Sequence, residues 1–219
     1  MTTVFIVDDH SLLRDGLIHL LEGEEGFEVC GQAGTGGEAL AEIPKCRPDL
    51  VLLDMSLPDS NGLELLKDLL ALCPEVRVLV LSVHDEALYA ERVIRAGARG
   101  YVMKGAPKSQ LVGAMRRVLE GQIALSVEAS SHILGGLSGG GAHNSKTGMQ
   151  SLTDREFEVF ELIGRGGDAH EIGDKLGISS RTVDAHRTHI REKLGLADSA
   201  ELMRYAVRWV ETGEHPDAG

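Results

Sequence analysis

Residues 50–62 read LVLLDMSLPDSNG: four uninterrupted apolar residues run into an aspartate, and a helical pattern resumes at Gly62. A short apolar run without polar alternation fits a strand covered on both faces. The same unit recurs on either side of it. Strands are predicted over Val4 to Val7, Phe27 to Ala33, Leu50 to Leu53, Val76 to Leu81 and Gly100 to Met103. Helices are predicted over about Leu12 to Glu22, Gly37 to Ile43, Gly62 to Ala71, Ala87 to Ala96 and Lys108 to Glu120. Five strand and helix repeats make a (βα)5 domain of the doubly wound α/β class, with a parallel sheet whose functional groups gather at the carboxyl ends of the strands.

The alternation ends near Gly121. Ser126 to Leu137 predicts a short helix, after which the chain dissolves into Gly135, Gly136, Gly139, Gly140 and Gly141. From Ser138 to Met149 only Lys146 is charged, which reads as a flexible linker with a reach of roughly 17 to 21 Å. The remainder has helical periodicity throughout. Thr153-Asp154-Arg155-Glu156 is a capping box ahead of an apolar stripe of Phe157, Phe160, Leu162 and Ile163. A second helix spans about His170 to Leu176, Gly177 turns the chain, and a third runs from Ser179 to Leu194. Asp198 and Glu201 open a fourth helix, through Val210. The expected organisation is a first domain over 1–125, a linker over 126–149, and a small all-α four-helix domain over 150–219.

Composition agrees with two domains, since 219 residues exceed one domain of about 100–150. The 42% apolar content is ordinary for a globular chain, and no apolar run approaches the roughly 18–20 residues of a membrane span. The N-terminus MTTVFIVDDH has no basic leader, so a cytoplasmic protein without a membrane partner is expected. Cys30, Cys46 and Cys73 lie far apart with no metal-binding spacing and read as packing residues.

Asp8 and Asp9 fall just past the first strand, Asp54 past the third, Ser82 at the end of the fourth and Lys104 at the end of the fifth. An open parallel sheet turns all these ends toward one crevice. Crowded carboxylates protonate unless a cation neutralises them, and oxygen ligands suit Mg2+ best. His10 reads as a helix-start residue rather than a ligand. The turn Gly34-Thr35-Gly36-Gly37 lacks the following Lys-Ser/Thr of a phosphate loop.

With these pieces in place, residues 1–121 resemble the flavodoxin-like receiver domain of a two-component response regulator. The resemblance is carried by Val7-Asp8-Asp9-His10, by Leu53-Asp54-Met55-Ser56-Leu57-Pro58 with Gly62, by Leu81-Ser82, and by Tyr101-Val102-Met103-Lys104-Gly105. It implies that Asp54 is the phosphoryl acceptor and that Asp8, Asp9, Asp54 and the Ser56 backbone carbonyl bind Mg2+. It further implies that Ser82 hydrogen-bonds the phosphoryl group, that Lys104 pairs with its charge, and that Tyr101 turns inward when Ser82 moves. His84 would sit at the mouth of the site. The receiver would catalyse only its own phosphorylation and a slow hydrolysis, so the chain is not expected to be a metabolic enzyme.

The C-terminal stretch resembles the LuxR-type helix-turn-helix through Leu152-Thr153-Asp154-Arg155-Glu156, Glu171-Ile172-Gly173-Asp174-Lys175-Leu176, Ile178 to Arg187, and Ile190-Arg191-Glu192-Lys193-Leu194. Both halves together resemble the NarL/FixJ group of response regulators. On the third helix Val183, Ile190 and Leu194 share the core face. Asp184, Ala185, Thr188, His189 and Glu192 point away toward a major groove, with Arg181, Arg187 and Lys193 placed for flanking phosphates and Ser179 and Thr182 at the helix start. Asp184 can accept from cytosine N4, and Ala185 can touch a thymine methyl. Residues 151–210 hold 9 Lys+Arg against 11 Asp+Glu, so the positive charge is local and binding should lean on dimerisation.

The expected function is a transcription regulator. A sensor histidine kinase loads Asp54, a homodimer forms, and two recognition helices occupy half-sites of double-stranded DNA about one turn apart, with RNA polymerase as a further partner. A complete switch needs about 5.5 kcal/mol, more than one charge-assisted bond supplies, which is a second reason to expect dimerisation. Its surface is either the fourth helix, fifth strand and fifth helix, or the first and fifth helices. The Gly-rich linker would let the receiver shield the recognition helix. Two other readings are an aspartate-nucleophile phosphatase of the haloacid dehalogenase kind and a regulator using its helices on RNA or protein. The first wants an aspartate where this chain has Ser56; the acidic net charge of −12 keeps the second in play.

Overall fold

The structure, a computed structural model, describes residues 1–83, 86–138 and 148–212. His84 and the Gly-rich stretch assigned to the linker lie outside the described residues, apart from its two ends. The chain forms two compact units, Met1–Ser138 and Gly139–Gly219. Among the described residues no helix is long and apolar enough to cross a membrane.

The first unit alternates β1 (Thr2–Val7), α1 (Ser11–Glu22), β2 (Phe27–Ala33), α2 (Gly36–Cys46), β3 (Leu50–Asp54), α3 (Gly62–Leu72), β4 (Arg77–Ser82), α4 (Glu86–Arg95), β5 (Gly100–Met103) and α5 (Lys108–Leu119). The strands pair in parallel in the order β2-β1-β3-β4-β5. All five residues of β3 are buried, which is why its sequence shows no alternation. The order reverses between β1 and β3, and at that switch point the carboxyl ends of the strands open a crevice. The register sets Asp54 beside Leu81 and Ser82 beside Met103, so one end of the sheet collects the polar residues.

Two elements exceed the sequence reading. Helix α2 runs through Pro44 to Cys46: Pro44 has no amide to donate to the Leu40 carbonyl, but the Arg47 amide still closes the last turn on the Ile43 carbonyl at 2.8 Å. Past α5, Ala124 donates to the Arg99 carbonyl and accepts from the Tyr101 amide, each at 2.9 Å, closing the outer edge of β5. The next helix, α6 (Val127–Ser138), packs on α4. The Ser126 amide donates to Glu86 Oε1 at 2.8 Å and the Ser126 hydroxyl accepts from Ala129 at 3.1 Å. This helix, expected within the linker, therefore lies in the first unit. The three cysteines are free and half-buried; burial first, then Cys46 nearby, pushes the Cys30 thiol up to about 11.

The second unit opens with a 3-10 turn (Gly148–Ser151), followed by α7 (Asp154–Gly164), α8 (Ala169–Leu176), α9 (Ser180–Leu194) and α10 (Ser199–Thr212). Trp209 of α10 is fully buried and meets Phe157 and Phe160 of α7 edge to face, at 5.3 and 5.6 Å. Gly177, at φ 63°, ends α8 in the left-handed region and turns the chain into α9.

Gly62, the first residue of α3, leaves no room for a side chain: a Cβ would lie 2.6 Å from Met55 Cα and 2.7 Å from Met55 O. Gly62→Ala should destabilise the first unit by about 1–3 kcal/mol, read from denaturant unfolding by circular dichroism, because the backbone next to Asp54 must shift.

Candidate functional site

Three strand ends meet at Lys104. Its Nζ lies 2.8 Å from Asp8 Oδ2 and 2.8 Å from Asp54 Oδ2, and both carboxylates are buried. The Lys104 amide donates to the Ser82 carbonyl at 2.8 Å, which fixes where the side chain starts. The other carboxylate oxygens serve their own turns: Asp8 Oδ1 accepts from the His10 amide at 2.8 Å, and Asp54 Oδ1 from the Ser56 amide at 3.1 Å. Ser82 is fully buried at the end of β4. Tyr101 is buried too, its ring stacked 6.5 Å from that of Tyr89 on α4.

Asp8, Asp9, His10 and Asp54 bring ligand atoms within 4.8 Å of one another. Three carboxylates against one ammonium leave two negative charges, and the donors are hard oxygens, so the set fits a divalent cation. Burial first, with Asp8 adding, raises the Asp54 carboxyl above its ordinary range against the pull of Lys104. Burial works against the Lys104 ammonium, but Asp54 and Asp8 outweigh it and hold its pKa above the usual lysine value.

Of two further residues beside this group, His10 was read from the sequence and Arg14 was not. His10 starts α1 as expected, yet its Nδ1 is 2.7 Å from Asp9 Oδ1, so the ring belongs to the acidic group. Arg14 donates from Nη1 to the Asp8 carbonyl at 2.6 Å and from Nε to Gln32 Oε1 at 2.9 Å, bracing the end of β1. The glycine turn offers a phosphate little, since the amides of Gly34, Gly36 and Gly37 already donate to Glu38 and Asp59.

In the second unit α8, the turn and α9 form a helix-turn-helix. Val183 and Ile190 are buried, whereas Arg181, Thr182, Asp184, Ala185, Thr188 and His189 are exposed. The Ser179 hydroxyl caps α9 at the Thr182 amide, 3.1 Å, and lies 2.8 Å from the Thr182 hydroxyl. Thr188 donates back to the Asp184 carbonyl at 3.0 Å.

The cations divide differently from the helical projection. Lys193, placed for a phosphate by that projection, donates to Glu156 Oε2 at 2.6 Å; Arg187 donates to the Gly167 carbonyl at 3.2 Å and Arg191 to that of Ala197 at 3.0 Å. These three fasten α9 to its neighbours. Arg181 is exposed and has no partner among the described residues. Glu156 is buried, and the same Oε2 that holds Lys193 accepts from the Thr153 amide at 2.7 Å and the Thr153 hydroxyl at 3.0 Å. The capping box of α7 is thereby the anchor of α9.

Residues 4–116 match the response regulator receiver domain, and residues 150–206 match the luxR family of bacterial regulatory proteins. The chain belongs to the response regulators that join a receiver to a LuxR-type DNA-binding domain, and it is a regulator of transcription. It is similar to the oxygen regulatory protein NreC of Staphylococcus carnosus, 32% identical over 94% of this chain and 96% of that one. It is also similar to NreC of Staphylococcus aureus strain MRSA252, 34% identical over the same shares. Among solved structures it resembles RcsB from Salmonella enterica serovar Typhimurium bound to promoter rprA in the presence of phosphomimetic BeF3-, with a TM-score of 0.75, 25% identity, and 94% and 98% of the two chains covered.

Burial pushes the Glu156 carboxyl up, but Lys193 and the Thr153 amide and hydroxyl outweigh it and hold the group below its ordinary value. A carboxyl held low in the folded state contributes stability above its unfolded pKa, about 4.3, and loses it as pH falls through the lower folded value. Unfolding followed by the fluorescence of Trp209, the sole tryptophan, should show the second unit weakening in that acid range. Glu156→Gln should cost on the order of 1–3 kcal/mol at neutral pH and flatten the acid dependence.

Proposed function

We propose that Asp54 accepts a phosphoryl group from a phosphohistidine of a sensor histidine kinase, and that the modification promotes a homodimer which binds DNA. The carrying observation is the Lys104 ammonium, 2.8 Å from Asp54 and from Asp8. An Asp54 oxygen forms the new P–O bond while the P–N bond breaks and its electron pair leaves on the imidazole, which takes up a proton. Asp8, Asp9, Asp54 and the Ser56 carbonyl would hold Mg2+, which when bound neutralises charge on the transferring oxygens. Lys104 does the same from the side of β5, and buried Ser82 supplies a hydroxyl at the adjacent strand end. The chain's own catalysis stops at this transfer and a slow hydrolysis; its output is a conformation.

Of the two expected dimer faces, the one on α4 and β5 is partly taken by Ala124 and α6, which supports α1 and α5, where Leu12 is 85% exposed. On the DNA side Asp184, Ala185, Thr188 and His189 read bases, and Arg181 supplies a phosphate contact. RNA polymerase would act downstream of promoter binding.

With Mg2+ and an acyl phosphate as donor, the wild type should gain mass on gel filtration, bind duplex DNA more tightly, and form a cross-linked dimer once Leu12→Cys is introduced. Asp54→Ala should abolish all three responses; equal behaviour of the two proteins would remove Asp54 from control. Arg181→Ala should lower the slope of log affinity against log salt by about 1 without changing the unfolding midpoint, whereas Lys193→Ala should lower that midpoint.

A further inference from the structure

The loop between β3 and α3 carries Ser56, and it is held at three points. Asp54 Oδ1 accepts from the Ser56 amide at its start, 3.1 Å. At its end Asn61 Oδ1 caps α3, accepting from Leu63 and Glu64 at 2.8 and 3.3 Å. Between them Asp59 reaches across to another element: its Oδ1 accepts from the Gly36 amide at 2.9 Å and its Oδ2 from the Gly37 amide at 3.0 Å, at the start of α2. Ser60 seats in the same place, since a Cβ on Gly36 would fall 2.2 Å from its hydroxyl.

Helix α2 does not depend on this contact for its cap. Thr35 already accepts from the Glu38 amide at 3.2 Å, and Glu38 Oε2 accepts from Gly34 at 2.8 Å. The loop, in contrast, reaches across to α2 through the two Asp59 bonds. In the sheet β1 separates β2 from β3, so the Asp59 bridge spans the crevice end of the site from one side of β1 to the other. The two glycine amides, against the effect of burial, hold the Asp59 carboxyl below its ordinary range, so it is ionised at neutral pH and suited to a helix N-terminus.

We propose that Asp59 is a positioning residue for the acidic site: by anchoring the loop to α2 it holds the Ser56 backbone carbonyl where it completes the oxygen set of Asp8, Asp9 and Asp54. The proposal rests on the reading of that set as a Mg2+ site. Asp59 acts through the loop, its own oxygens being occupied by the α2 amides. Carboxylates outside the coordinating set that orient its members typically change metal affinity 10–100-fold when removed, and a pair of bonds of which one is exposed and one part-buried belongs at the low end.

The test is calorimetric titration of the full chain with MgCl2, without phosphoryl donor, on wild type, Asp59→Ala, Asp59→Asn and Thr35→Ala. Asp59→Ala should weaken Mg2+ binding about tenfold, and hydrogen exchange should quicken at Gly36, Gly37 and Ser56. Asp59→Asn, which keeps one oxygen acceptor, should lie between it and wild type. Thr35→Ala removes the cap internal to α2 and should lower the unfolding midpoint while leaving Mg2+ affinity unchanged. Equal affinities for wild type and Asp59→Ala, or an equal loss in Thr35→Ala, would overturn the positioning role while the metal reading stands. Absence of Mg2+ binding by wild type would overturn the metal reading and this proposal with it. Should Asp59→Ala fail to fold, Asp59→Asn against Thr35→Ala decides between the same outcomes.

Discussion

A single ammonium group holds the crevice together. Two buried carboxylates at the ends of β1 and β3 could not both stay ionised in an apolar sheet without a counter-charge, and Lys104 reaches both from β5. The backbone of Lys104 is in turn bonded to the end of β4. Four strands are thus tied at one end by a residue whose charge balance is incomplete. Whatever changes the charge facing Lys104 acts on β4 and β5 through bonds already formed, and Ser82, Tyr101 and α4 lie along those strands.

The second unit repeats the device on a smaller scale. One oxygen of Glu156 gathers the start of α7 and the last turn of α9. Its cost of burial is offset by three donors, two of them neutral and one charged, a favourable ratio for a partly desolvated carboxylate. The pitch of α9 is therefore set by electrostatics at its C-terminal end and by the Ser179 cap at its start, with the apolar Val183 and Ile190 between.

The order of elements was legible because β1, β3 and β4 are buried on both faces and stand out as apolar runs between amphipathic ones. Asp8, Asp9, Asp54, Ser82 and Lys104 were legible because a parallel sheet brings strand ends together whatever their sequence separation. Asp59 and Arg14 were not, since they bond to backbone atoms, the amides of Gly36 and Gly37 and the carbonyl of Asp8, which leave no mark in a residue pattern. Lys193 shows the limit of a helical projection: it gives a direction, but the Glu156 that captures the side chain stands 37 positions away. Gly135 and Gly136 made α6 look like linker, whereas packing on α4 and the Glu86 cap at Ser126 keep it with the receiver.

The division of labour along α9 also shapes how such a protein can diverge. Glu156 cannot exchange charge with Lys193, because the same oxygen serves the amide and hydroxyl of Thr153, so this pair is frozen by a third party. Asp184, Ala185 and Thr188 sit on the opposite side with no packing duty. On the base contacts proposed for them, duplicated copies of the gene can drift at those three codons and acquire new operators while the scaffold beneath remains unaltered, so that a lineage can rewire its promoters one base contact at a time.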